Sequence, residues 1–306
     1  MTDSIRSAST ADVGRDDPLA ALRRPSGGLA MLAIDQREAL RVMLSEQAGT
    51  DVADEEVSSF KVAAARALTP YASAVLIDHQ FGWDPVLSAG VVAPGCALIS
   101  AADRLVPDHG ELVGESSLDA DVDLDAVAAQ GAVAAKLLIL WREDEPARTR
   151  IELAEDFIDR CHRAGLAAII EPVTRHRIDG QESDLDVGIQ IAAEELGDLG
   201  ADLYKAQVPF GGSADDDTTI EACRRLTDTI ASPWVVLSSG VSPDQFPRAV
   251  RLAVRGGASG FLAGRAVWRQ SLTAADVAAD LARNAVARLQ ELSSCVDEAL
   301  ASRNNS

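Results

Sequence analysis

Two lysines stand where a surface cation does not belong. Lys136 lies in Val-Ala-Ala-Lys-Leu-Leu-Ile-Leu-Trp (Val133–Trp141), and Lys205 lies in Ala-Asp-Leu-Tyr-Lys-Ala-Gln-Val-Pro (Ala201–Pro209). Arginine is the ordinary solvent cation of this chain, since only three of its 28 lysine and arginine residues are lysine. Arginine keeps its charge in any site, whereas a buried lysine can shed its proton and attack a carbonyl. Lowering a lysine from about 10.4 to about 7 requires roughly 4.6 kcal/mol against the charged form. A second ammonium about 5 Å away supplies roughly 3 kcal/mol at an effective dielectric of about 20, and desolvation can supply the rest. Lys136 and Lys205 therefore read as an activating pair for Schiff-base chemistry. The competing reading is two snorkelling lysines with only their stems buried.

Other side chains fit around that pair. Glu171 follows Ala-Ala-Ile-Ile, where a carboxyl can shuttle protons during carbinolamine dehydration and carbon–carbon cleavage; otherwise it caps a helix or holds an ion pair. Asp35 and Asp78 end similar runs and are placed to orient substrate hydroxyls or hold the lysines. Leu-Ser-Ser-Gly-Val (Leu237–Val241) and Phe-Leu-Ala-Gly-Arg (Phe261–Arg265) look like paired phosphate loops. Gly240 and Gly264 permit close backbone approach, Ser238 or Ser239 offers a hydroxyl, and Arg265 brings a bidentate fork. Three other signals fail. Asp119, Asp121, Asp123 and Asp125 match no calcium-loop register and read as a solvated acidic segment. His79 and His176 lack a third histidine in reach, with His109 in a loop and His162 in a helix, so no metal is expected. Gly256-Gly257 is no dinucleotide fingerprint.

These residues need a scaffold that brings strand ends together. Short apolar runs fall at Leu29–Ile34, Ala74–Ile77, Ala97–Ser100, Ala134–Leu140, Ala167–Ile170, Leu203–Val208, Trp234–Leu237 and Gly260–Leu262. Helical periodicity separates most of them, at Glu38–Gln47, Glu55–Leu68, Ala147–His162, Asp186–Leu196, Asp217–Ile230, Asp244–Val254 and Ala274–Leu300. Strands apolar on both faces, alternating with helices, predict a parallel sheet covered by helices, and eight units predict a single (β/α)8 TIM barrel. With 306 residues and 47% apolar content the chain is long enough for one such barrel over residues 18–306. Residues 1–17 read as a disordered tail. The net charge of −20 argues against nucleic acid and anionic membranes as partners. No signal peptide or membrane-length apolar run is legible, and four scattered cysteines read as reduced thiols, so a cytoplasmic protein is expected. The last helical stretch either covers the barrel or joins subunits, and a homo-oligomer is expected.

Several stretches together resemble one family. Met31–Ala39 (Met-Leu-Ala-Ile-Asp-Gln-Arg-Glu-Ala), Ala201–Lys205, Val236–Val241 and Gly257–Trp268 resemble class I aldolases of the tagatose-bisphosphate aldolase type, supported by Leu68–Leu76, Lys136–Arg142 and Ile169–Val173. Within that group they look closest to the sulfofructosephosphate aldolases. The resemblance implies a barrel in which Lys205 forms the imine, Glu171 shuttles protons, Asp35 and Lys136 line the site, and no cofactor is needed. It implies that Ser238, Gly240, Gly264 and Arg265 hold the C1 phosphate of a ketose. The substrate would be 6-deoxy-6-sulfofructose 1-phosphate, cleaved to dihydroxyacetone phosphate and 3-sulfolactaldehyde; tagatose 1,6-bisphosphate is the alternative. Arg37, Arg142, Arg175 and Arg265 all follow strand ends and would focus a positive field at the mouth. Gln36, Arg37 and Arg175 are candidates for the distal sulfonate or phosphate. A reading of another class is a sugar-phosphate-binding barrel that regulates a partner.

Overall fold

The structure, a computed structural model, describes residues 17–304. Parallel strands close into a barrel in chain order: β1 (Leu29–Ala33), β2 (Ala74–Ile77), β3 (Ala97–Ala101), β6 (Ala132–Trp141), β7 (Ala167–Thr174), β8 (Leu203–Ala206), β9 (Trp234–Val236) and β10 (Gly260–Ala263). The last strand pairs back onto the first, Leu29 opposite Gly260. This is the eight-stranded α/β TIM barrel that the alternation of apolar runs and helical stretches predicts. Two strands stand outside it, β4 (Asp103–Asp108) and β5 (Glu111–Leu118), which form an antiparallel hairpin between β3 and β6.

Helices cover the outside. The long first connection holds α1 (Glu38–Ala48) and α2 (Asp54–Leu68), and α3 (Trp83–Ser88) follows β2. After the hairpin come α4 (Leu124–Ala129), α5 (Ala147–Arg163), α6 (Leu185–Leu196), α7 (Asp216–Thr229) and α8 (Phe246–Arg255). Asp123, Asp184 and Asp215 cap α4, α6 and α7, their carboxylates accepting from backbone N–H groups of the first turn. The chain ends in α9 (Arg265–Trp268), α10 (Val277–Asp280), a π-helical turn and α11 (Val286–Asn304). The predicted Ala274–Leu300 helix is thus interrupted by the π turn and covers the barrel. A Cβ on Gly28 would lie 2.6 Å from Val296 and 2.8 Å from Leu300, so glycine is what lets α11 pack against the start of β1. Among the described residues no helix is long and apolar enough to cross a membrane.

Strand alternation divides the core into two shells. Leu29, Met31, Ala33, Ala74, Leu76, Ile99, Ala101, Ala134, Ala167, Ile169, Leu203, Val235 and Leu262 point inward and pack together, joined by Leu19 and Leu22 from the segment before β1. Their neighbours of opposite phase, such as Ala30, Leu32, Val75, Ile77, Ala135, Leu137, Ala168 and Ile170, face the helices in a larger outer cluster. Cys96, Cys161, Cys223 and Cys295 are free and buried.

One sequence expectation changes here. The sequence predicts a loop around His109, where the structure has a hairpin of β4 and β5, while Asp121, Asp123 and Asp125 beyond it are exposed as the acidic solvated segment requires. His109 (φ 52°) and Gly110 (φ 75°) form the two-residue turn, both in the left-handed conformation that a tight hairpin of matching twist requires. The 1–17 tail lies outside the described residues except for Asp17, which forms an ion pair with Arg23 at 2.7 Å.

Candidate active site

The inward phase that builds the apolar floor carries the charges one step further along each strand. Asp35 follows Ala33 in that phase, Asp78 follows Leu76, Asp103 follows Ala101, Lys136 follows Ala134, Glu171 follows Ile169 and Lys205 follows Leu203. Five of the eight strands thus lead to an ionisable side chain in one layer above the floor; Asp78 at the end of β2 instead turns to Lys61 of α2, and β9 and β10 place Leu237 and Gly264 in the layer. Lys136, Glu171 and Lys205 sit on three adjacent strands, with Glu171 opposite Leu138 and Lys205 opposite Val235.

Lys136 is the hub. Its Nζ lies 2.7 Å from Asp103, 2.8 Å from Asp35 and 3.2 Å from Glu171. The other oxygen of Glu171 is 2.9 Å from Lys205 Nζ, so one carboxylate bridges both ammonium groups. Arg37 donates to the Asp103 carboxylate and carbonyl, each at 2.8 Å. Burial opposes the charge of Lys136, but Asp103, Asp35 and Glu171 outweigh it and hold this ammonium well above the ordinary lysine range. Burial likewise opposes the charges of Asp35 and Asp103. Lys136 and Lys205 overcome it for Asp35, and Lys136 and Arg37 for Asp103, so both carboxyls sit below the usual range. The expected picture of two ammonium groups in mutual competition is therefore revised. Lys136 is a fixed cation inside a carboxylate cage, whereas Lys205 pairs, among the described residues, with Glu171 alone.

Asp78 is corrected as well. It is wholly buried, its carboxylate pairs with Lys61 of α2, and it accepts from the Phe81 N–H, so it lies behind the site and does not line the cavity above it. Lys61 also donates to the carbonyls of Ile34 and Gln36, on either side of Asp35. Sequence reasoning missed this lysine, although it falls on the apolar stripe Val57–Lys61–Ala64–Leu68 of α2. It also left Asp103 without a role, although the inward phase of Ala101 points to it. Asp35, Asp78, Asp103 and Glu171 balance Lys61, Lys136, Lys205 and Arg37, so the cluster carries no net charge.

A cavity of about 420 Å³ opens above this layer. It is lined by Asp35, Gln36, Arg37, Lys136, Glu171, Arg175, Lys205, Ser239 and Arg265 among others. Beside β9 and β10, Arg265 donates to the Ser239 hydroxyl at 2.8 Å and has no carboxylate within ion-pair reach among the described residues. Burial, with nearby Arg269, pushes its guanidinium below the ordinary arginine value against the pull of Asp35 and Glu171. Gly240 has φ 82°, and a Cβ on Gly264 would lie 2.4 Å from the Ala33 carbonyl oxygen, so both positions require glycine. Ser238 is buried and does not line the cavity.

The opposite wall belongs to the hairpin. Leu105, Leu112 and Val113 of the hairpin line the cavity together with Leu138 and Val173. Glu111 accepts from Arg142 at 3.0 Å and pairs with Arg175 at 3.1 Å. The buried Gln36 Oε1 and Arg37 Nη1 have no hydrogen-bond partner among the described residues. Among the described residues no group of three or more His, Cys, Asp or Glu side chains is disposed to hold a metal ion. His79 bonds Ser100 and stacks on Trp83, and His176 bonds Ser183.

Comparisons with known proteins give this arrangement a family. Tagatose 1,6-diphosphate aldolase of Listeria monocytogenes is 28% identical over 284 residues, covering 85% of this chain and 82% of its own length. Fructose-bisphosphate aldolase of Plasmodium falciparum superposes with a TM-score of 0.67 at 16% identity, over 92% of this chain and 93% of that one. A fructose-1,6-bisphosphate aldolase described as Schiff-base forming superposes with a TM-score of 0.59 at 15% identity, over 91% and 98%. At such identities these structures speak to the fold. A family model described as DeoC/LacD family aldolase matches residues 29–270, a span that begins with β1, contains every charged residue of the inward layer and ends beyond Arg265. The chain, a lyase, belongs to the DeoC/LacD family of aldolases.

Proposed function

We propose that the enzyme is a class I aldolase that cleaves a ketose 1-phosphate carrying a second anion at its far end, through an imine on Lys205. The observation that carries this reading is the contact of Lys205 with Glu171, 2.9 Å apart at the floor of a cavity whose wall holds Arg265. The C1 phosphate binds to Arg265 and Ser239, with the backbone at Gly240 and Gly264 close by; buried Ser238 shapes that loop. The ketone then stands over Lys205. Its amine adds to C2, water leaves, and the protonated imine becomes the electron sink. Glu171 accepts the proton of the C4 hydroxyl as the C3–C4 bond breaks, and the bond's electron pair passes into an enamine on Lys205. The enamine takes a proton at C3, and hydrolysis of the imine releases dihydroxyacetone phosphate. Lys136 stays protonated throughout, and with Asp35 it fixes Glu171 and the substrate hydroxyls. Gln36, Arg37 and Arg175 face the distal part of the sugar.

Among ketoses, tagatose 1,6-bisphosphate is the better supported, because relatives over most of the chain carry that name. A second reading, 6-deoxy-6-sulfofructose 1-phosphate, draws on Arg142 and Arg175 sharing the single carboxylate Glu111, which leaves one net positive charge at that end.

Borohydride reduction in the presence of dihydroxyacetone phosphate is expected to add the reduced triose phosphate to Lys205, as read by peptide mass spectrometry. Lys205→Met is expected to lose both the adduct and the cleavage activity. Cleavage by Lys205→Met at the wild-type rate is the outcome that rejects the imine.

A further inference from the structure

We infer that Glu111, at the tip of the β4–β5 hairpin, sets the charge of the substrate end that the distal pocket accepts. This deepens the proposed function and rests on it. Two guanidinium groups meet at that end, and the barrel itself supplies both: Arg142 follows β6 and Arg175 follows β7. Arg142 is almost fully buried and anchored to the His176 carbonyl, and its Nε has no hydrogen-bond partner among the described residues. Arg175 is half-buried and lines the cavity. Left alone, Arg175 would present its charge to a terminal anion from the cavity wall, and Arg142, which does not line the cavity, would add its field from behind. Glu111 reaches both, one carboxylate oxygen to each, at 3.0 and 3.1 Å.

The position of Glu111 is fixed by backbone. It follows the His109–Gly110 turn directly and pairs with Asp108 across it. Behind it the ribbon approaches itself so closely at Gly114 that a Cβ there would lie 2.3 Å from the Asp108 carbonyl oxygen. The carboxylate is therefore presented from a hydrogen-bonded ribbon and held by an arginine on each oxygen. Glu111 is about one third exposed, and Leu105, Val113, Leu138 and Val173 line the cavity beside it, so its charge acts on a bound group through a partly screened medium, still more strongly than in bulk solvent. A singly charged terminal group meets one net positive charge. A doubly charged group meets the same cations with Glu111 repelling its second charge. A latch that merely closed the hairpin would affect every substrate alike; a counter-charge discriminates between them.

The test uses that difference. Dihydroxyacetone phosphate is offered with equal amounts of glyceraldehyde 3-phosphate and 3-sulfolactaldehyde at pH 8, where the phosphate is doubly and the sulfonate singly charged. The ratio of the two aldol products, read by mass spectrometry, is the quotient of the two kcat/KM values, and any loss of folded enzyme cancels from it. Glu111→Gln keeps the shape and removes the charge; it is expected to raise the phosphate-to-sulfonate ratio about tenfold, the size that one unit charge a few ångströms away supports. Arg175→Gln is expected to move the ratio the other way. A ratio within twofold of wild type in both variants, with the borohydride adduct on Lys205 intact, overturns the role of Glu111 and leaves the aldolase reading standing. A wild-type enzyme that gives neither product nor adduct overturns both.

Discussion

Lys61 and Lys136 are both buried lysines, yet their surroundings pull them in opposite directions. Lys136 has three carboxylates and is held high; for Lys61 burial outweighs the single carboxylate of Asp78, and its value is lowered. Lys61 spends its three donors on Asp78 and on the carbonyls that flank Asp35, so it bolts the loop carrying Asp35, Gln36 and Arg37 to the end of β2. Removing one member of a buried pair leaves the other uncompensated, at a cost of about 3–5 kcal/mol. Lys61→Met should lose stability of that order in denaturant unfolding. Lys61→Met combined with Asp78→Asn should recover part of it, because the remaining buried charge is gone. The single variant should also lower kcat more than it raises KM, since Asp35 loses its fixed position next to Lys136. Much of this layer was legible from side-chain phase alone: Lys136, Glu171 and Lys205 each stand two residues beyond an inward apolar residue. Lys61 was harder to see, because its burial depends on α2 docking over the end of β1, which no local pattern states.

The hairpin is the element that the sequence disguised. Asp103, Arg104, Asp108, Glu111 and Glu115 give Asp103–Leu118 the composition of a solvated loop, and solvent does cover one face of it. Its partner is the barrel mouth, and a short apolar alternation such as Leu105 and Val113 carries too little signal to announce that. The pairing of Glu111 with Arg142 and Arg175 joins three separate parts of the chain and exists only once the barrel has closed. By contrast, the eight barrel strands were legible because each is apolar on both faces. The close approach at Gly114 makes a local prediction. Gly114→Val should separate β4 from β5, raising hydrogen exchange across 103–118 while amides in β1 and β10 stay protected.

At the scale of the whole molecule, the charged layer ties stability to pH at both ends. Asp35 and Asp103 titrate at lower pH in the folded protein than in the unfolded chain, where aspartates titrate near about 3.9. Above that value both states are ionised and the contribution is full. As pH falls below it, the unfolded chain takes up protons first, and the contribution is lost as the folded carboxyls protonate. Lys136 acts at the alkaline end: its folded value is raised, so its contribution is complete below about 10.4 and disappears as pH rises through the folded value. Denaturant unfolding across pH should therefore show a plateau with an acid and an alkaline fall, and Asp103→Asn should flatten the acid limb.

The ribbon that bears Glu111 begins with Asp103, the residue that grips the central ammonium of the barrel. Recognition of the sugar's tail and support of the reacting centre are thus threaded on one short stretch of chain, inner end and outer end. A lineage drifting toward a new sugar is free to rewrite the outer part, but the first residue of the ribbon has to stay. Grafting experiments between related enzymes should respect that seam, cutting after Asp103 rather than before it.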